Sequence, residues 1–331
     1  MNRWTKILED YGVVVALVIL SLFSAIRRPD VFLQPENIRN IVNQSSFIGI
    51  VAVGMTLVII AGGIDLSVGS IVAFAGACTV LCLNHVQDKG AMAIPLALAA
   101  GVGVGLGLGL LNGYLVSFGR LAPFIATLAG LVAFRSFTLV VAEGGEIRSM
   151  DFNAFPAIGA GGIPLPFQDR GGQTLMLNWS ILVWVLVAVA AGFLLERTRF
   201  GRYVVAVGAN ERAARYSGIS TAWVRFWTYS ILGLLSGVAG ALLSARFNSV
   251  ASSTSGLYYE LDAIAAVVIG GTPLSGGRGR VWGTVVGVLL LGVIQNLMVS
   301  EGVSNYWQGA VKGAIILLAV LIQRGSSRAA A

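Results

Sequence analysis

The sequence is short of charge, cysteine and histidine. Only 11% of its 331 residues are charged, whereas 56% are hydrophobic, and an ordinary soluble domain carries about 25% charged residues. This composition excludes a soluble globular protein. Repeated apolar runs between short polar breaks predict membrane-spanning helices, because lipid-exposed backbone must satisfy its own hydrogen bonds. The net charge of +7 accompanies no soluble module of basic and stacking aromatic residues, so nucleic-acid binding is not expected.

Several kinds of reactive site are missing as well. Cys78 and Cys82 lie four residues apart in one apolar run, too few and too deep for a metal site or a disulfide framework, and we interpret them as packing residues. No G-x-x-x-x-G-K-[ST] loop occurs, so the chain has no P-loop ATPase of its own. The apolar runs contain no paired carboxylates and no nucleophile beside a base. We therefore expect no enzyme, no catalytic residue and no metal site.

The apolar runs predict an all-α polytopic membrane protein with about ten transmembrane helices, some short or broken. The first run is followed by Arg27-Arg28-Pro29 rather than by a cleavage site, so we interpret it as a spanning helix and not a signal peptide. The eighth is far shorter than the roughly 20 residues that a span needs, which favours a half-helix or a re-entrant segment. The runs are approximately Tyr11 to Ile26, Ser45 to Ala61, Leu66 to Leu83, Ala91 to Val116, Ala122 to Ala142, Trp179 to Leu195, Val224 to Ala245, Leu261 to Ile269, Trp282 to Val299 and Tyr306 to Ile322.

The distribution of charge predicts the orientation in the membrane. With the N-terminus inside, the inner segments hold thirteen basic and four acidic residues, and the outer segments hold seven basic and ten acidic residues. Basic residues are enriched in cytoplasmic loops. We therefore expect cytoplasmic N- and C-termini, a periplasmic loop at residues 143–178 and a cytoplasmic loop at residues 196–223. The periplasmic loop is expected to cap the entrance or to contact an external partner.

The cytoplasmic loop is predicted to contain a short helix, Glu211 to Ser217. Asn210 can cap that helix through its side-chain oxygen, Glu211 places negative charge in the first turn, and Gly218 supplies a left-handed residue at its end. So short a helix is marginal alone, because nucleation costs more than its few hydrogen bonds return. We therefore predict a docking element that rests on the membrane domain, on a partner, or on both.

Two glycine-rich strings, Gly62 to Gly69 and Gly270 to Gly277, are predicted at the inner face. Such breaks absorb backbone rotation, which favours hinges near an inner gate. Asp65 is the only carboxylate in the first string; it is either a functional residue at membrane depth or a cap of the following helix.

Three further features lie within or beside the apolar runs. Arg135 either binds substrate hydroxyls in a pathway or holds helix carbonyls together, because a guanidinium at that depth must face protein or water. Lys312 is expected to reach the interface with its long side chain. Glycine at every second position from Gly101 to Gly109 satisfies G-x-x-x-G in two overlapping registers and predicts close helix packing.

With these residues in view, the chain resembles the membrane permeases of bacterial ribose-type sugar ATP-binding-cassette (ABC) importers, the ribose, xylose, arabinose and galactose permease family. The resemblance covers nearly the whole chain, although Arg212 stands where a small residue is common. The matching strings are V-A-V-G-M-T-L-V-I-I-A-G-G-I-D-L-S-V-G-S (Val51 to Ser70), P-F-I-A-T-L (Pro123 to Leu128), G-R-Y-V-V-A-V-G-A-N-E-R-A-A-R-Y-S-G-I (Gly201 to Ile219), Y-E-L-D-A-I-A-A-V-V-I-G-G-T (Tyr259 to Thr272) and G-G-R-G-R-V-W-G-T (Gly276 to Thr284).

The resemblance implies a single transmembrane permease domain over residues 1–331, in the bacterial cytoplasmic membrane. It implies a second permease subunit in a homo- or heterodimer, an ABC ATPase subunit and a periplasmic sugar-binding protein, besides membrane lipid. ATP and Mg²⁺ would be bound by the partner ATPase, and no cofactor by this chain. Transport of a monosaccharide is the expected function; the alternatives are an ABC permease for nucleosides or branched-chain amino acids, or an ion-driven secondary transporter.

The candidate site residues form two groups. The resemblance implies that the loop around Asn210 is the coupling helix, seated in a groove of the ATPase, whereas the residue types alone predict that the glycine strings and Arg135 form an inner gate or pathway. The coupling residues are Gly208, Asn210, Glu211, Arg212, Ala214, Arg215 and Gly218. The gate or pathway residues are Gly63, Asp65, Ser67, Gly69, Arg135, Gly271 and Ser275. Within the coupling helix, Ala213 and Ala214 are expected to permit close approach of the partner.

Overall fold

A computed structural model describes residues 3–168, 171–304, 307–315 and 317. The chain is mostly helical within these ranges, and residues 307–315 are helical too. A 3-10 helix, Gln87–Met92, precedes α5. The α-helices are α1 Arg3–Arg27, α2 Pro29–Phe32, α3 Pro35–Ile60, α4 Val68–His85, α5 Ala93–Ser117, α6 Pro123–Val141, α7 Ala154–Ala160, α8 Trp179–Arg197, α9 Arg199–Ala209, α10 Glu211–Tyr216, α11 Thr221–Phe247, α12 Tyr259–Ile269 and α13 Val281–Ser300.

Seven segments of the described chain are long and apolar enough to cross a membrane: α3, α4, Gln87–Ser117, α6, α8, α11 and α13. The apolar part of α1, Tyr11–Arg27, is shorter. The eighth predicted run corresponds to α12, whose 11 residues are too few to span, as its length in the sequence indicated. The run Tyr306 to Ile322 lies partly outside the described residues. Within the described residues the structure therefore supports seven spanning helices, and the total of about ten stays a prediction.

α3 occupies the centre of the bundle. Of its most apolar stretch, 89% is buried, and it packs against α11, α13, α8 and α12. Ile50, Met55 and Leu57 are fully buried in the main hydrophobic core. Polar contacts lie among them: the hydroxyls of Thr56 and Thr284 on α13 are 2.7 Å apart. The end of α3 therefore positions the segment that follows it.

Glycine brings α5 and α11 into backbone contact. A Cβ atom on Gly109 would lie 2.7 Å from the Cα atom of Gly233, closer than real Cβ contacts, and Gly105 meets Gly237 in the same way. Gly103 and Gly107 have nothing within 4 Å of such an atom. The predicted close packing is confirmed, and only one of the two overlapping G-x-x-x-G registers makes it.

The connection at residues 143–178 contains no spanning helix among its described residues, as predicted. Strand β1 (Glu146–Arg148) pairs antiparallel with β4 (Ser249–Ala251), and β2 (Gly162–Gln168) pairs antiparallel with β3 (Thr174–Asn178). α7 packs against α11 and buries Phe155 completely. These strands are a departure from the expected all-α fold. Pairing of β1 with β4 places this connection and the segment after α11 at the same end of the bundle.

Candidate coupling and gating sites

The short helix α10 begins at Glu211 as predicted and ends at Tyr216, one residue before the predicted Ser217. The Oδ1 atom of Asn210 accepts a hydrogen bond from the Ala213 amide at 3.0 Å, which caps the helix. Gly218 has φ of +81°, a conformation that favours glycine. The same Asn210 also ends α9, since its amide donates to Ala206 O at 3.1 Å. One residue thus joins two helices at a fixed turn.

Helix α9 was not predicted from the sequence. Thr198 begins this helix by accepting a hydrogen bond from the Gly201 amide, and Val204 and Val207 are buried on one face. A threonine followed by apolar residues three apart was the available signal. α9 matters because it carries the docking element back against the membrane helices.

Glu211 ties α10 to α11. One carboxylate oxygen accepts from Arg215 at 2.9 Å, within α10, and the other accepts from Arg225 of α11 at 2.7 Å. The glutamate is about one-third exposed, so each pair contributes only about 0.2 to 1 kcal/mol. These ion pairs matter more for position than for stability, because the two arginines fix the orientation of one short helix.

The faces of α10 divide its predicted coupling residues. Ala214 is 5% exposed and packs inward against this chain, so the expectation that it lets a partner approach closely is wrong. Arg212 and Ala213 are exposed, and Tyr216 is 91% exposed. An aromatic side chain so fully exposed, on a helix anchored on its other side, is typical of an interface.

Three stretches of backbone come together beside the start of α10. The Gly277 amide donates to Ile60 O, at the end of α3, at 2.9 Å. A Cβ atom on Gly208 would overlap that same carbonyl, and one on Gly277 would lie 2.6 Å from the Cα atom of Ala209. Gly62 follows with φ of +81°. We call this contact of residues 60–62, 208–209 and 276–277 the glycine junction; it connects the loop at residues 196–223 with both glycine-rich strings.

Asp65 lies just beyond the glycine junction and is 1% exposed. Its Oδ1 atom accepts from the amide and the hydroxyl of Ser67 at 2.8 and 2.7 Å, and its Oδ2 atom accepts from Asn112 of α5 at 3.2 Å. α4 begins at Val68 without a side-chain cap, so the interpretation of Asp65 as a helix cap is wrong. The carboxylate instead closes the turn before α4 and fastens it to α5.

Two residues that bind this turn were not predicted from the sequence. Asn112 also donates to Ser67 Oγ at 2.8 Å, and the hydroxyl of Tyr229 on α11 donates to Ile64 O at 3.1 Å. Tyr229 presses on Gly63, where a Cβ atom would lie 2.5 Å from the hydroxyl. An amide inside an apolar run was the signal for Asn112; nothing local marked Tyr229.

Arg135 performs the structural one of its two predicted roles. Its Nη1 atom donates to the carbonyls of Ser252 and Ser255 at 3.0 and 2.8 Å. These carbonyls belong to the break that precedes α12. At the end of that break, Gly256 lies against Gly69 at the start of α4. The starts of α4 and α12 therefore lie close to each other within the bundle.

The remaining candidates are placed elsewhere. Gly271 has φ of +92° and open space around it, and Ser275 is exposed, so neither joins the Asp65 turn. Lys312 does not extend to the interface: its Nζ atom lies 2.8 Å from Asp262 Oδ2 on α12, and the aspartate side chain is 7% exposed. The expected interfacial position of Lys312 is wrong because a buried carboxylate lies within reach.

Comparison with known proteins shows the family of the chain. The sequence family described as "Branched-chain amino acid transport system / permease component" matches residues 37–320. The chain belongs to this family. It is a permease component of an ABC transport system rather than an enzyme, and ATP hydrolysis belongs to a separate subunit. Several apolar helices and this membership make it a multi-pass membrane protein.

Individual relatives match along nearly the whole chain. The ribose import permease protein RbsC of Bacillus subtilis (strain 168) is 45% identical, over 97% of this chain and 94% of that protein. RbsC of Escherichia coli (strain K12) is 39% identical over 96% and 94%. The xylose transport system permease protein XylH of Haemophilus influenzae is 31% identical over 97% of each. A solved metal-chelate type ABC transporter in an inward-facing conformation gives a TM-score of 0.45 at 15% identity over 96% of both chains, too low to carry an argument.

Proposed function

We propose that the chain is the membrane subunit of an ABC importer that moves a monosaccharide, a pentose or a hexose, from the periplasm to the cytoplasm. The observation that carries this proposal is the 45% identity to a ribose import permease over 97% of the chain. A relative named for xylose matches with the same coverage. Pentoses are therefore the first substrates to test.

A branched-chain amino acid is the second candidate substrate, because the family description names one. The named relatives favour a sugar: the three described above are permeases for ribose or xylose. The two substrate classes differ in charge, since a pentose is neutral and a free amino acid is a zwitterion. Competition between them in uptake therefore separates the candidates.

The geometry supports α10 as the coupling element, with the ATPase on its outward face. Arg212, Ala213 and Tyr216 supply that face, while Ala214 and Glu211 seat the helix on its own chain. Movement of α10 relative to α3 would be carried by the glycine junction to the Asp65 turn, the proposed inner gate. Such transmission requires two alternative packings of the junction, and its left-handed glycines give the backbone freedom to adopt them.

The partners and the orientation follow from the same proposal. The ATPase and a second permease subunit complete the importer, and a periplasmic sugar-binding protein delivers the sugar at the opposite end. Of the outer aromatics, Phe152 is 77% exposed and Phe167 54%, whereas Phe155 is fully buried. Phe152 and Phe167 are therefore the positions from which to crosslink the binding protein. The protein then lies in the bacterial cytoplasmic membrane with α10 inside.

Uptake into proteoliposomes tests the substrate. The complete importer, with its ATPase and binding protein, is supplied with labelled ribose, xylose or leucine, and an importer with a hydrolysis-deficient ATPase is the control. The proposal predicts ATP-dependent accumulation of a pentose that unlabelled leucine does not reduce. ATP-dependent accumulation of leucine alone would replace it with the second candidate. Equal accumulation in the hydrolysis-deficient control would contradict an ABC importer.

A further inference from the structure

A basic groove lies where three long helices end at the same side of the bundle. Its volume is about 770 Å³, and it is formed by the end of α5, the α5–α6 turn, the start of α11 and one side of α10. Arg120, Arg215 and Arg225 line it, and Glu211 is the only acidic residue among the described residues that do so. Three arginines and one glutamate give the groove an excess of two positive charges, even though Glu211 binds Arg215 and Arg225.

Arg120 is presented to the groove by the shape of the α5–α6 turn. It is exposed, and its φ of 54° is a left-handed conformation that is uncommon outside glycine. This turn follows α5 immediately and precedes Pro123, where α6 begins. The arginine is therefore held at the level where the apolar spans stop.

An aromatic cluster adjoins the groove. Phe118 lines the groove, and its ring centroid lies 5.3 Å from that of Trp223 and 5.9 Å from that of Tyr114. Phe226 links Trp223 to Trp227 at 5.4 Å on each side. Tyr114 and Trp223 are more than half exposed and Trp227 is 46% exposed. Exposed tryptophan and tyrosine at the ends of spanning helices mark the depth of the lipid headgroups.

We propose that the basic groove binds the headgroup of an anionic phospholipid of the cytoplasmic leaflet, with the acyl chains lying against the aromatic cluster. Guanidinium groups bind phosphate through paired N–H donors. Basic pockets on the cytoplasmic side bind anionic headgroups because that leaflet is negatively charged. The proposal rests on the proposed orientation, which places this end of the bundle in the cytoplasm.

The lipid and the ATPase would use different sides of α10. At about 100° per residue, Glu211 and Arg215 lie on one side, and Arg212 and Tyr216 lie roughly a quarter-turn away. Neither Arg212 nor Tyr216 lines the groove. A headgroup bound to Arg215 and Arg225 would join the same network as Glu211 and hold α10 against α11. Anionic lipid would thus stabilise the seated position of the coupling helix.

Fluorescence quenching tests the proposal in the assembled importer. The complex is placed in nanodiscs that contain brominated phosphatidylglycerol or brominated phosphatidylcholine, and the part of the quenching that disappears in Trp223→Phe reports lipid at the groove. We expect stronger quenching by phosphatidylglycerol. Arg120→Gln should weaken that preference about fivefold, the effect of roughly one basic residue at a membrane surface. Arg202→Gln removes an exposed arginine of α9 outside the groove and should leave it unchanged.

Three results would overturn the proposal. Equal quenching by the two lipids would show no preference for anionic headgroups. Loss of the preference on addition of millimolar inorganic phosphate would indicate a site for soluble phosphate. Quenching that is present in the isolated permease and lost in the complex would show that the ATPase covers the groove. None of these measurements depends on sugar transport, so the substrate assignment and the lipid site fail separately.

Discussion

Helices α3 and α6 differ in surroundings more than in composition. The most apolar stretch of α3 is 89% buried, whereas that of α6 is 28% buried, although α6 is the more hydropathic of the two. The exposed residues of α6 are large and apolar, such as Phe124, Ile125 and Val132. α3 buries large apolar residues such as Ile50 and Leu57 beside small and polar ones; Asn43 Oδ1, for example, accepts from Ser180 Oγ at 2.6 Å. High apolarity therefore does not by itself mark burial in this chain, and close backbone packing and polar pairs add to the apolar contacts of the interior.

The comparison predicts the largest effect where backbones touch. Gly109→Val places a branched side chain against Gly233 on α11. We expect the free energy of unfolding to fall by about 3 kcal/mol or more, because the new side chain meets backbone atoms and no neighbouring side chain can move aside. Gly107→Val is the matched control on the open side of the same helix. Thermal unfolding in detergent, followed by size-exclusion chromatography, measures both. Similar melting temperatures for the two variants would contradict the packing register.

Buried polar pairs should give the next largest effect. Thr56→Val removes one hydroxyl of the Thr56 and Thr284 pair and leaves the other buried without that partner, which costs about 1 to 3 kcal/mol. The double variant Thr56→Val, Thr284→Val should recover part of this loss, because no hydroxyl is then left alone. The coupling energy comes from unfolding of the four proteins of the cycle. Strict additivity would show that the pair does not stabilise α3 against α13.

Local parts of the fold could be predicted from the sequence, and long-range contacts could not. The bounds of α10 follow from Asn210 and Gly218, whose effects act within one turn. The glycines of α5 predicted close packing. Which of their two registers makes the contact depends on where the fold places α11. The same holds for Ala214, whose inward side is set by α9 and α11, and for Lys312, whose partner Asp262 lies 50 residues away.

The candidate sites were predicted unevenly for the same reason. Gly208 was predicted as a coupling residue and the glycine strings as hinges, and only the fold shows that they form one junction. Arg135 was identified as a charge that needs partners. Those partners are backbone carbonyls, which every residue carries, so no sequence pattern could name them.

A smaller effect is expected at the cap of the exposed helix. Asn210→Ala removes the acceptor of the Ala213 amide, and loss of such a cap costs about 1 kcal/mol. Because α10 is seated by Glu211 and Ala214 as well, we expect faster amide exchange at residues 211–216 and no change in global melting. Asn210→Asp keeps the acceptor and is the control. Equal exchange in the alanine variant and the wild type would show that the cap does not hold α10.

The smallest effect should appear at the outer strands and depend on pH. Hydrogen bonds from Ser249 and Arg148 lower the pKa of Glu146 below its ordinary value. A lowered carboxyl pKa means that the ionised form supports the folded contact. The support between β1 and β4 is therefore complete above the unfolded-state pKa of glutamate, and it is lost as the pH falls through the lower folded-state pKa. As the pH falls through the folded-state pKa of Glu146, the rate of amide exchange at residues 146–148, corrected for intrinsic rates, should rise in the wild type. In Glu146→Gln the corrected rate should not change with pH.

The central claim is that the outward face of α10 couples this permease to an ATPase. The most direct test is ATP-driven pentose uptake by the complete importer carrying Arg212→Glu with Tyr216→Ala, beside the exposed control Arg202→Glu. Glu211 is unsuitable for this purpose, because its substitution would also break the contact with Arg225. We expect uptake to fall at least about tenfold, a loss of about 1.4 kcal/mol of coupling, with unchanged melting temperature. Full uptake in the double variant, with the ATPase still bound, would contradict the claim.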